Sequence, residues 1–196
     1  MTSSNFFEDT AGYWDDNYIT YQVARKAAAF VATPHSGGVI LDIGCGAGYM
    51  LTELLAAGAN EVVGVDLSQK HLAIAAERFA SDPRVSFLHA DFMEMDESGF
   101  DAAVLFNGYT LFKDKQQLLA KVCNILIPGG RFTAAHSPGR CVTNALHPEA
   151  APEMSVDLLP AQLEAALWVP FFEVDVVCDT DDLYMLSGVR RKDYKY

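Results

Sequence analysis

A chain of 196 residues, 51% of them apolar, is long enough to bury one sizeable core and too apolar to be disordered by composition. The 26 acidic residues outnumber the 14 basic ones, and the resulting net charge of −12 disfavours nucleic acid as a partner because it repels a phosphate backbone. We find neither a secretory leader pattern nor a run of about 18 apolar residues, so we expect a cytoplasmic protein without a membrane span.

The first 36 residues precede the main pattern and form an N-terminal extension. Apolar residues recur at helical spacing in this extension, which predicts an amphipathic helix that ends before Pro34. These residues are Ile19, Val23, Ala27, Phe30 and Val31.

Short apolar strands then alternate with helices of about ten residues. The predicted strands cover residues 39–43, 61–66, 85–89, 100–106 and 131–135. The predicted helices cover residues 49–57, 69–79 and 115–126, the last one stopped by the sequence Pro128-Gly129-Gly130. Strands that read as continuous apolar runs are buried on both faces, and their alternation with helices is typical of a parallel, doubly wound sheet.

The C-terminal part of the chain has a different pattern. A helix is predicted over residues 160–168, and two strands over 172–177 and 183–189 are separated only by the polar turn 178–182. So short a turn permits antiparallel pairing alone. The sequence therefore predicts an α/β, Rossmann-like, doubly wound and mostly parallel seven-stranded sheet with a reversed C-terminal β-hairpin. We expect a single domain over residues 1–196, with its core in residues 37–196.

The strongest functional signal is a glycine loop between the first strand and the helix that follows it. Gly44, Gly46 and Gly48 let the backbone turn tightly and approach a ligand, and the helix presents free N–H groups and its positive dipole end. Asp66 ends the next strand, where a carboxylate can accept hydrogen bonds from both hydroxyls of a ribose. This pattern predicts an adenosine-containing cofactor at the carboxyl ends of the strands.

Two details favour S-adenosylmethionine over a nicotinamide dinucleotide. The glycines are spaced Gly-x-Gly-x-Gly, whereas the dinucleotide fingerprint is Gly-x-Gly-x-x-Gly. Asp42 lies two residues before Gly44, where a carboxylate attracts a sulfonium and an ammonium but repels a pyrophosphate. An NAD-dependent oxidoreductase on the same fold, or a catalytically inactive cofactor-binding scaffold, is the alternative.

From residue 6 to residue 189 the chain resembles the class I methyltransferases. Beside the glycine loop, four segments resemble motifs of that family in the same order. They cover residues 6–15 (FFEDTAGYWD), 88–92 (LHADF), 100–107 (FDAAVLFN) and 126–132 (LIPGGRF). The resemblance implies S-adenosylmethionine as cofactor and S-adenosylhomocysteine as product. It also implies that residues 1–36 form a helical lid and that Asp91 meets the exocyclic amine of the adenine.

The glycine motif and the family resemblance together predict which residues bind the cofactor. They are Asp42, Gly44, Cys45, Gly46, Gly48, Asp66, Leu67, Asp91, Phe92, Asn107 and Tyr13. We predict no metal site, because His136 and His147 are eleven residues apart and no third ligand is assured.

Methyl transfer from a sulfonium is an in-line displacement whose leaving group, a neutral thioether, needs no acid. The protein has to align the reactants and exclude water, and it needs a base only if the acceptor must lose a proton. Asn107 and Tyr109 follow the fourth strand and His136 ends the fifth, so these three are the predicted catalytic residues. His136 could act as a general base or could merely hold the loop that follows it.

The methyl acceptor is expected to be a small molecule. The chain has no insertion large enough to form a separate acceptor domain, so the pocket has to be built from residues 1–36, 107–112 and 136–160. The sequence does not distinguish an oxygen, nitrogen, sulfur or carbon acceptor, and we expect a monomer or a homodimer.

Overall fold

The computed structural model describes residues 19–150 and 155–194. Within these ranges the helices are α1 (Ile19–Ala32), α2 (Tyr49–Ala56), α3 (Gln69–Arg78), α4 (Lys115–Ile125), α5 (Arg140–Ala150) and α6 (Ala161–Trp168). The strands are β1 (Val39–Ile43), β2 (Glu61–Asp66), β3 (Val85–His89), β4 (Phe100–Phe106), β5 (Leu126–His136), β6 (Phe172–Asp179) and β7 (Tyr184–Arg190).

The strands of the described ranges form one seven-stranded sheet in the order β3-β2-β1-β4-β5-β7-β6. The pairs among β1 to β5 are parallel, whereas β7 runs antiparallel to both β5 and β6. The predicted doubly wound sheet and its reversed C-terminal hairpin are therefore confirmed. The order reverses at β1, from which the chain proceeds outward to β2 and β3 and then returns to β4, so a crevice is expected where β1 and β4 end.

Helices cover both faces of the sheet, and β1 shows why. Its residues alternate between the faces, so Ile40 packs in one buried cluster with residues of α1, α2 and α3, while Leu41 packs in the other with residues of α4 and α6. Trp168 of α6 is fully buried and stacks on Phe132 of β5, with ring centroids 4.7 Å apart. Burial of such side chains stabilises the fold by about 1.5–3 kcal/mol each.

The N-terminal helix forms where it was predicted, but a different set of side chains is buried. Val23 and Phe30 are 64% and 74% exposed. Apart from Arg25, the side chains that α1 buries most deeply are small, which lets the helix lie close to the sheet and to α2. They are Ala24, Ala28, Ala29 and Ala32. The helical periodicity of the sequence was set by bulky apolar residues, but the contact of α1 with the sheet and with α2 is made mainly by alanines.

The start of β5 also differs from the prediction. The helix α4 ends at Ile125 and the strand begins at once at Leu126, so the sequence 128–130 lies inside the strand instead of before it. Leu126 pairs with Phe100 but Arg131 already pairs with Ala102, so the residues between bulge out of the register. Pro128 stops a helix because it lacks an N–H, but it does not prevent a strand that tolerates a bulge.

Candidate functional site

The glycine loop turns at the carboxyl end of β1 with all three predicted glycines in the left-handed region. The φ angles of Gly44, Gly46 and Gly48 are 68°, 52° and 82°. A Cβ atom at Gly44 or Gly46 would have no atom of the described residues within 4 Å, whereas one at Gly48 would lie 2.9 Å from the ring of Phe79. The first two glycines therefore keep an open cradle at the surface of the loop, and the third permits close packing on α3.

Asp66 ends β2 directly beside this loop. Its Oδ2 accepts a hydrogen bond from the backbone N–H of Gly46 and its Oδ1 accepts one from the backbone N–H of Ser68, both at 2.8 Å. Ser68 in turn caps α3, because its Oγ accepts the N–H of His71. The carboxylate is thus fixed by backbone donors on both sides and keeps lone pairs for further donors.

Asp42 lies on β1 between the neighbouring strands, opposite Gly64 of β2 and Val104 of β4. It is only 1% exposed, and its Oδ2 accepts no hydrogen bond from the described part of the chain. Burial, and then the charge of Asp66, raise the pKa of the Asp42 carboxyl well above its usual range. Burial also raises the pKa of the neighbouring Cys45 thiol, so that cysteine is an inert, protonated member of the core.

The other cofactor-binding predictions on this side fall at the ends of β2 and β3. The backbone N–H of Ala90 donates to the carbonyl of Asp66 at 3.2 Å, which brings Asp91 close to the end of β2. Asp91 is exposed, and its Oδ1 accepts the N–H of Met93. Phe92 is buried edge-to-face against Phe112, and the carbonyl of Leu67 lies 3.0 Å from the His89 ring nitrogen Nε2.

Asn107 and His136 meet at the carboxyl ends of β4 and β5. The backbone N–H of Asn107 donates to the carbonyl of Ala135, and its side-chain Oδ1 accepts the N–H of Ser137 at 2.9 Å. Asn107 has a φ of 58°, which is uncommon for any residue other than glycine and is tolerated best by asparagine and aspartate. His136 is 2% exposed and pairs with Tyr184 across the sheet.

Tyr109 is placed away from the crevice, in the core below it. Its ring is fully buried, and its hydroxyl donates to the Glu164 carboxylate at 2.8 Å and accepts from Trp168 Nε1 at 3.0 Å. Burial and the charge of Glu164 raise the pKa of the Tyr109 hydroxyl, so at neutral pH it stays protonated and is a poor proton donor for catalysis, and the phenolate that could act as a base is not populated. We therefore do not retain Tyr109 as an acid or a base. Glu164 and Trp168 were missed, because nothing local marks residues that meet a partner more than 50 positions away.

A second group that the sequence did not predict holds the loop after β5. Asp179, at the end of β6, accepts through one oxygen from both Arg140 Nε at 3.0 Å and the backbone N–H of Ala161 at 3.1 Å. The N–H of Gly139 donates to the carbonyl of Asp181 at 2.8 Å. The composition of this acidic turn suggests that it is only solvated, but the hydrogen bonds show that it also binds other parts of the chain. It joins the starts of α5 and α6 to the hairpin.

Two predicted elements are left without a structural test. Tyr13 and the first half of the proposed lid lie outside the described residues, and of His147 only the backbone, within α5, is described. Among the described residues, no three histidine, cysteine or acidic side chains lie close enough together to hold a metal ion. No helix in the described ranges is both long and apolar enough to cross a bilayer.

Comparison with known proteins agrees with this geometry. Residues 40–130 match the family described as "Methyltransferase domain". The chain is 35% identical over 113 residues to a demethylmenaquinone methyltransferase of Clavibacter sepedonicus, covering 57% of this chain and 46% of that protein. It is 30% identical over 130 residues to the 27-O-demethylrifamycin SV methyltransferase of Amycolatopsis mediterranei, covering 62% and 48% respectively. The chain thus spans about half the length of these curated relatives.

Similar solved structures share the fold over nearly the whole chain. The N-methyltransferase NodS from Bradyrhizobium japonicum, in complex with S-adenosylhomocysteine, aligns with a TM-score of 0.76 at 14% identity, covering 95% of this chain and 97% of that one. A methyltransferase from Haloferax volcanii, in complex with the activator Trm112, gives the same TM-score at 18% identity, covering 94% and 97%. At such identities the likeness concerns the fold alone.

Proposed function

We propose that the chain is a class I S-adenosylmethionine-dependent methyltransferase and that it transfers a methyl group from S-adenosylmethionine to a small-molecule acceptor. The observation that carries this proposal is the juxtaposition of an open glycine cradle with two carboxylates. One of them, Asp42, is buried with an oxygen that accepts no hydrogen bond from the described residues. A buried carboxyl oxygen without a partner is costly, and a cationic ligand beside it would offset that cost.

The residues at the crevice fit each part of this cofactor. Asp66 would accept hydrogen bonds from the ribose hydroxyls, since its two amide partners leave lone pairs on both oxygens. Gly44 and Gly46 would let the backbone approach the amino-acid part, because no other described residue comes within 4 Å of where their Cβ atoms would lie. Asp91 and Phe92 would meet the adenine beyond the end of β3, and Leu67 would lie between the two groups.

When bound, S-adenosylmethionine supplies a methyl group on a sulfonium, which makes the leaving group a neutral thioether. The work left to the chain is to orient the acceptor and exclude water, which contributes several kcal/mol in reactions of this kind. Asn107 fixes the crevice floor, because its backbone and side chain together tie the end of β4 to the loop after β5. His136 is the candidate base, for an acceptor that has to lose a proton.

A small acceptor is supported by the relatives and by the architecture. The two relatives named above act, by their names, on demethylmenaquinone and on a demethylrifamycin. We propose that the residues around 107–112 and 136–160 line the acceptor pocket together with the N-terminal extension.

Binding is tested by isothermal titration calorimetry of S-adenosylhomocysteine into the full chain. We expect saturable binding, and a Kd raised roughly 10- to 100-fold in Asp66→Ala, because hydrogen bonds to a charged group contribute about 1.5–3 kcal/mol. Asp82→Ala removes an exposed carboxylate paired with Arg84 and should leave the Kd unchanged. NAD should not bind. Absence of S-adenosylhomocysteine binding, or tight binding of NAD, would refute the proposal.

Transfer is tested with tritium-labelled S-adenosylmethionine and a fractionated metabolite extract. We expect label in the small-molecule fraction and none in the protein or nucleic-acid fractions. Tight binding of S-adenosylhomocysteine without any transfer would instead identify the chain as an inactive cofactor-binding scaffold.

A further inference from the structure

The carboxyls of Asp42 and Asp66 have opposite surroundings, although both serve the same cradle. Each oxygen of Asp66 accepts a backbone N–H at 2.8 Å. Asp42 is 1% exposed, and its Oδ2 accepts no hydrogen bond from the described residues. Hydrogen-bond donors stabilise a charged carboxylate and burial without donors destabilises one. Two neighbouring carboxylates also repel each other, so a negative charge on Asp66 further disfavours one on Asp42.

On this basis, and resting on the function proposed above, we infer that Asp42 is a neutral carboxylic acid in the free protein and that cofactor binding removes its proton. The proton passes to solvent, and the resulting carboxylate becomes the counter-ion of the cationic group of the cofactor. No bond other than the O–H bond of Asp42 is broken in this step. Asp42 then selects an adenosyl ligand that carries a positive charge over a neutral one.

The groups that face Asp42 from the surrounding elements agree with this assignment. Asp66 of β2 and the Cys45 thiol of the loop approach it, and β4 contributes the apolar Val104 beside it. The cation on the adjoining helix α1, Arg25, is directed to the Tyr49 ring, 5.3 Å from its centroid. Burial, and then the charge of Asp66, raise the pKa of Asp42, which agrees with a neutral carboxylic acid in this environment.

The consequence is a proton linkage that a merely structural buried acid would not show. The free protein holds one proton more than the complex, so raising the pH favours binding of a cationic ligand. The association constant rises by up to about tenfold per pH unit below the pKa of free Asp42. The association constant of an uncharged adenosyl ligand should not rise with the same change in pH.

The experiment is calorimetric titration of the full chain in two buffers of different ionisation enthalpy, which counts the protons released on binding. The probes are S-adenosylmethionine, S-adenosylhomocysteine, which keeps the ammonium, and 5′-methylthioadenosine, which is uncharged. We expect release of about one proton with at least one of the charged ligands and of none with methylthioadenosine. If only S-adenosylmethionine releases the proton, the sulfonium is the cation that Asp42 meets.

Two variants assign the released proton to its source. Asp42→Asn keeps the shape of the neutral acid and should bind the charged ligand without proton release and with lower affinity. His71 carries a second ionisable ring, whose Nδ1 lies 3.8 Å from Asp66 Oδ1, so His71→Gln is the control and should still release the proton. Equal release from Asp42→Asn and the wild type, or release lost in His71→Gln alone, would overturn the inference.

A measurement on the wild type covers the case in which Asp42→Asn does not fold. Infrared difference spectra should show the band of a protonated carboxyl in the free protein and its loss when S-adenosylhomocysteine or S-adenosylmethionine binds. Tight binding of both ligands with no proton release and no change in that band would overturn the inference and leave the proposed function standing. Failure to bind either ligand would overturn both.

Discussion

The two halves of the crevice are built in different ways. The half formed by β1 and β2 is made of main chain, with three glycines at positive φ and backbone donors on Asp66, all within residues 42–68. The half formed by β4, β5 and the hairpin is made of side chains that meet across long stretches of sequence. Tyr109 bonds Glu164 55 positions away, and Arg140 bonds Asp179 39 positions away. A local backbone motif can serve many acceptors, while distant side chains adapt the other half to one of them.

The halves also differ in how completely their buried polar groups are satisfied. Asp42 has a buried oxygen without a hydrogen bond from the described residues, which suits a half that receives a ligand. In the other half, Tyr109, Glu164 and Trp168 form a closed network in which one hydroxyl donates to the carboxylate and accepts from the indole. Such a network rigidifies the core below the acceptor pocket instead of taking part in the chemistry.

The largest effect is expected from Tyr109→Phe, which opens that closed network. The variant leaves the Glu164 carboxylate without its donor and Trp168 Nε1 without its acceptor, both deep in the core. We expect the free energy of unfolding in urea to fall by about 1–3 kcal/mol, the cost of unsatisfied buried groups. The Kd for S-adenosylhomocysteine should change little, because the network lies away from the cofactor half.

Tyr184→Phe is the matched control for that prediction. Tyr184 is as fully buried as Tyr109, but its hydroxyl makes no hydrogen bond within residues 19–150 and 155–194. Removing it should leave the free energy of unfolding unchanged or raise it slightly. Equal losses in the two variants would show that the network contributes nothing. Loss of methyl transfer in Tyr109→Phe at unchanged stability would restore Tyr109 as a catalytic residue.

The same division explains what the sequence predicted. The sheet, its hairpin and the positions of Asp42, Gly46 and Asp66 follow from patterns a few residues long, such as apolar runs, glycine spacing and an acid at a strand end. Tyr109 was misplaced because its proximity to the strand end predicts the crevice, whereas the orientation of its ring depends on Trp168 and Glu164. The residues that α1 buries were misjudged for a related reason, since close approach to the sheet favours alanines over larger side chains.

The second prediction compares two glycines that both have a positive φ but lie in different places. Gly46 in the cradle has a φ of 52° and Gly58 after α2 has a φ of 107°, and a Cβ at either position would have no described atom within 4 Å. Gly46→Ala and Gly58→Ala should each lower the free energy of unfolding by roughly 1–2 kcal/mol, the cost of the left-handed region for alanine. Only Gly46→Ala should also raise the Kd for S-adenosylhomocysteine, by about tenfold or more.

Calorimetric titration and urea unfolding of the two variants give both quantities. The contrast depends on the added methyl group entering space that the cofactor occupies. If both variants bind S-adenosylhomocysteine like the wild type, the cradle at Gly46 does not hold the ligand. If both weaken binding equally, the effect is one of stability and the division into two halves is wrong at this point.

The smallest effect is a pH dependence that originates in the side-chain half. Burial lowers the pKa of Lys115 to about 8, and the charge of Glu164 opposes that shift only in part. Between about pH 8 and the ordinary lysine range, Lys115 therefore holds more protons in the unfolded chain than in the folded one, so this residue contributes a rise of the free energy of unfolding with pH. The buried thiols of Cys45 and Cys123, whose pKa is raised by burial, contribute a fall over the same range, so the effect of the lysine is the difference between matched variants. The free-energy penalty of burying the ammonium is fully present below about pH 8. It is lost progressively between about pH 8 and the ordinary lysine range.

Urea unfolding at several pH values from about 7 to about 9.5 measures this slope. The series of pH values ends before tyrosines titrate in the unfolded chain. The slope of the free energy of unfolding against pH should be lower in Lys115→Met than in the wild type, whereas Lys113→Met removes an exposed lysine two residues earlier and controls for the loss of one positive charge. Lys115 lies 4.0 Å from the centroid of the Tyr109 ring and donates to the Tyr109 carbonyl. A neutral amine still has N–H donors, so that hydrogen bond persists when the ammonium loses its proton. Identical slopes in the wild type and Lys115→Met would mean that the lysine is solvated and the side-chain half more open than its contacts indicate.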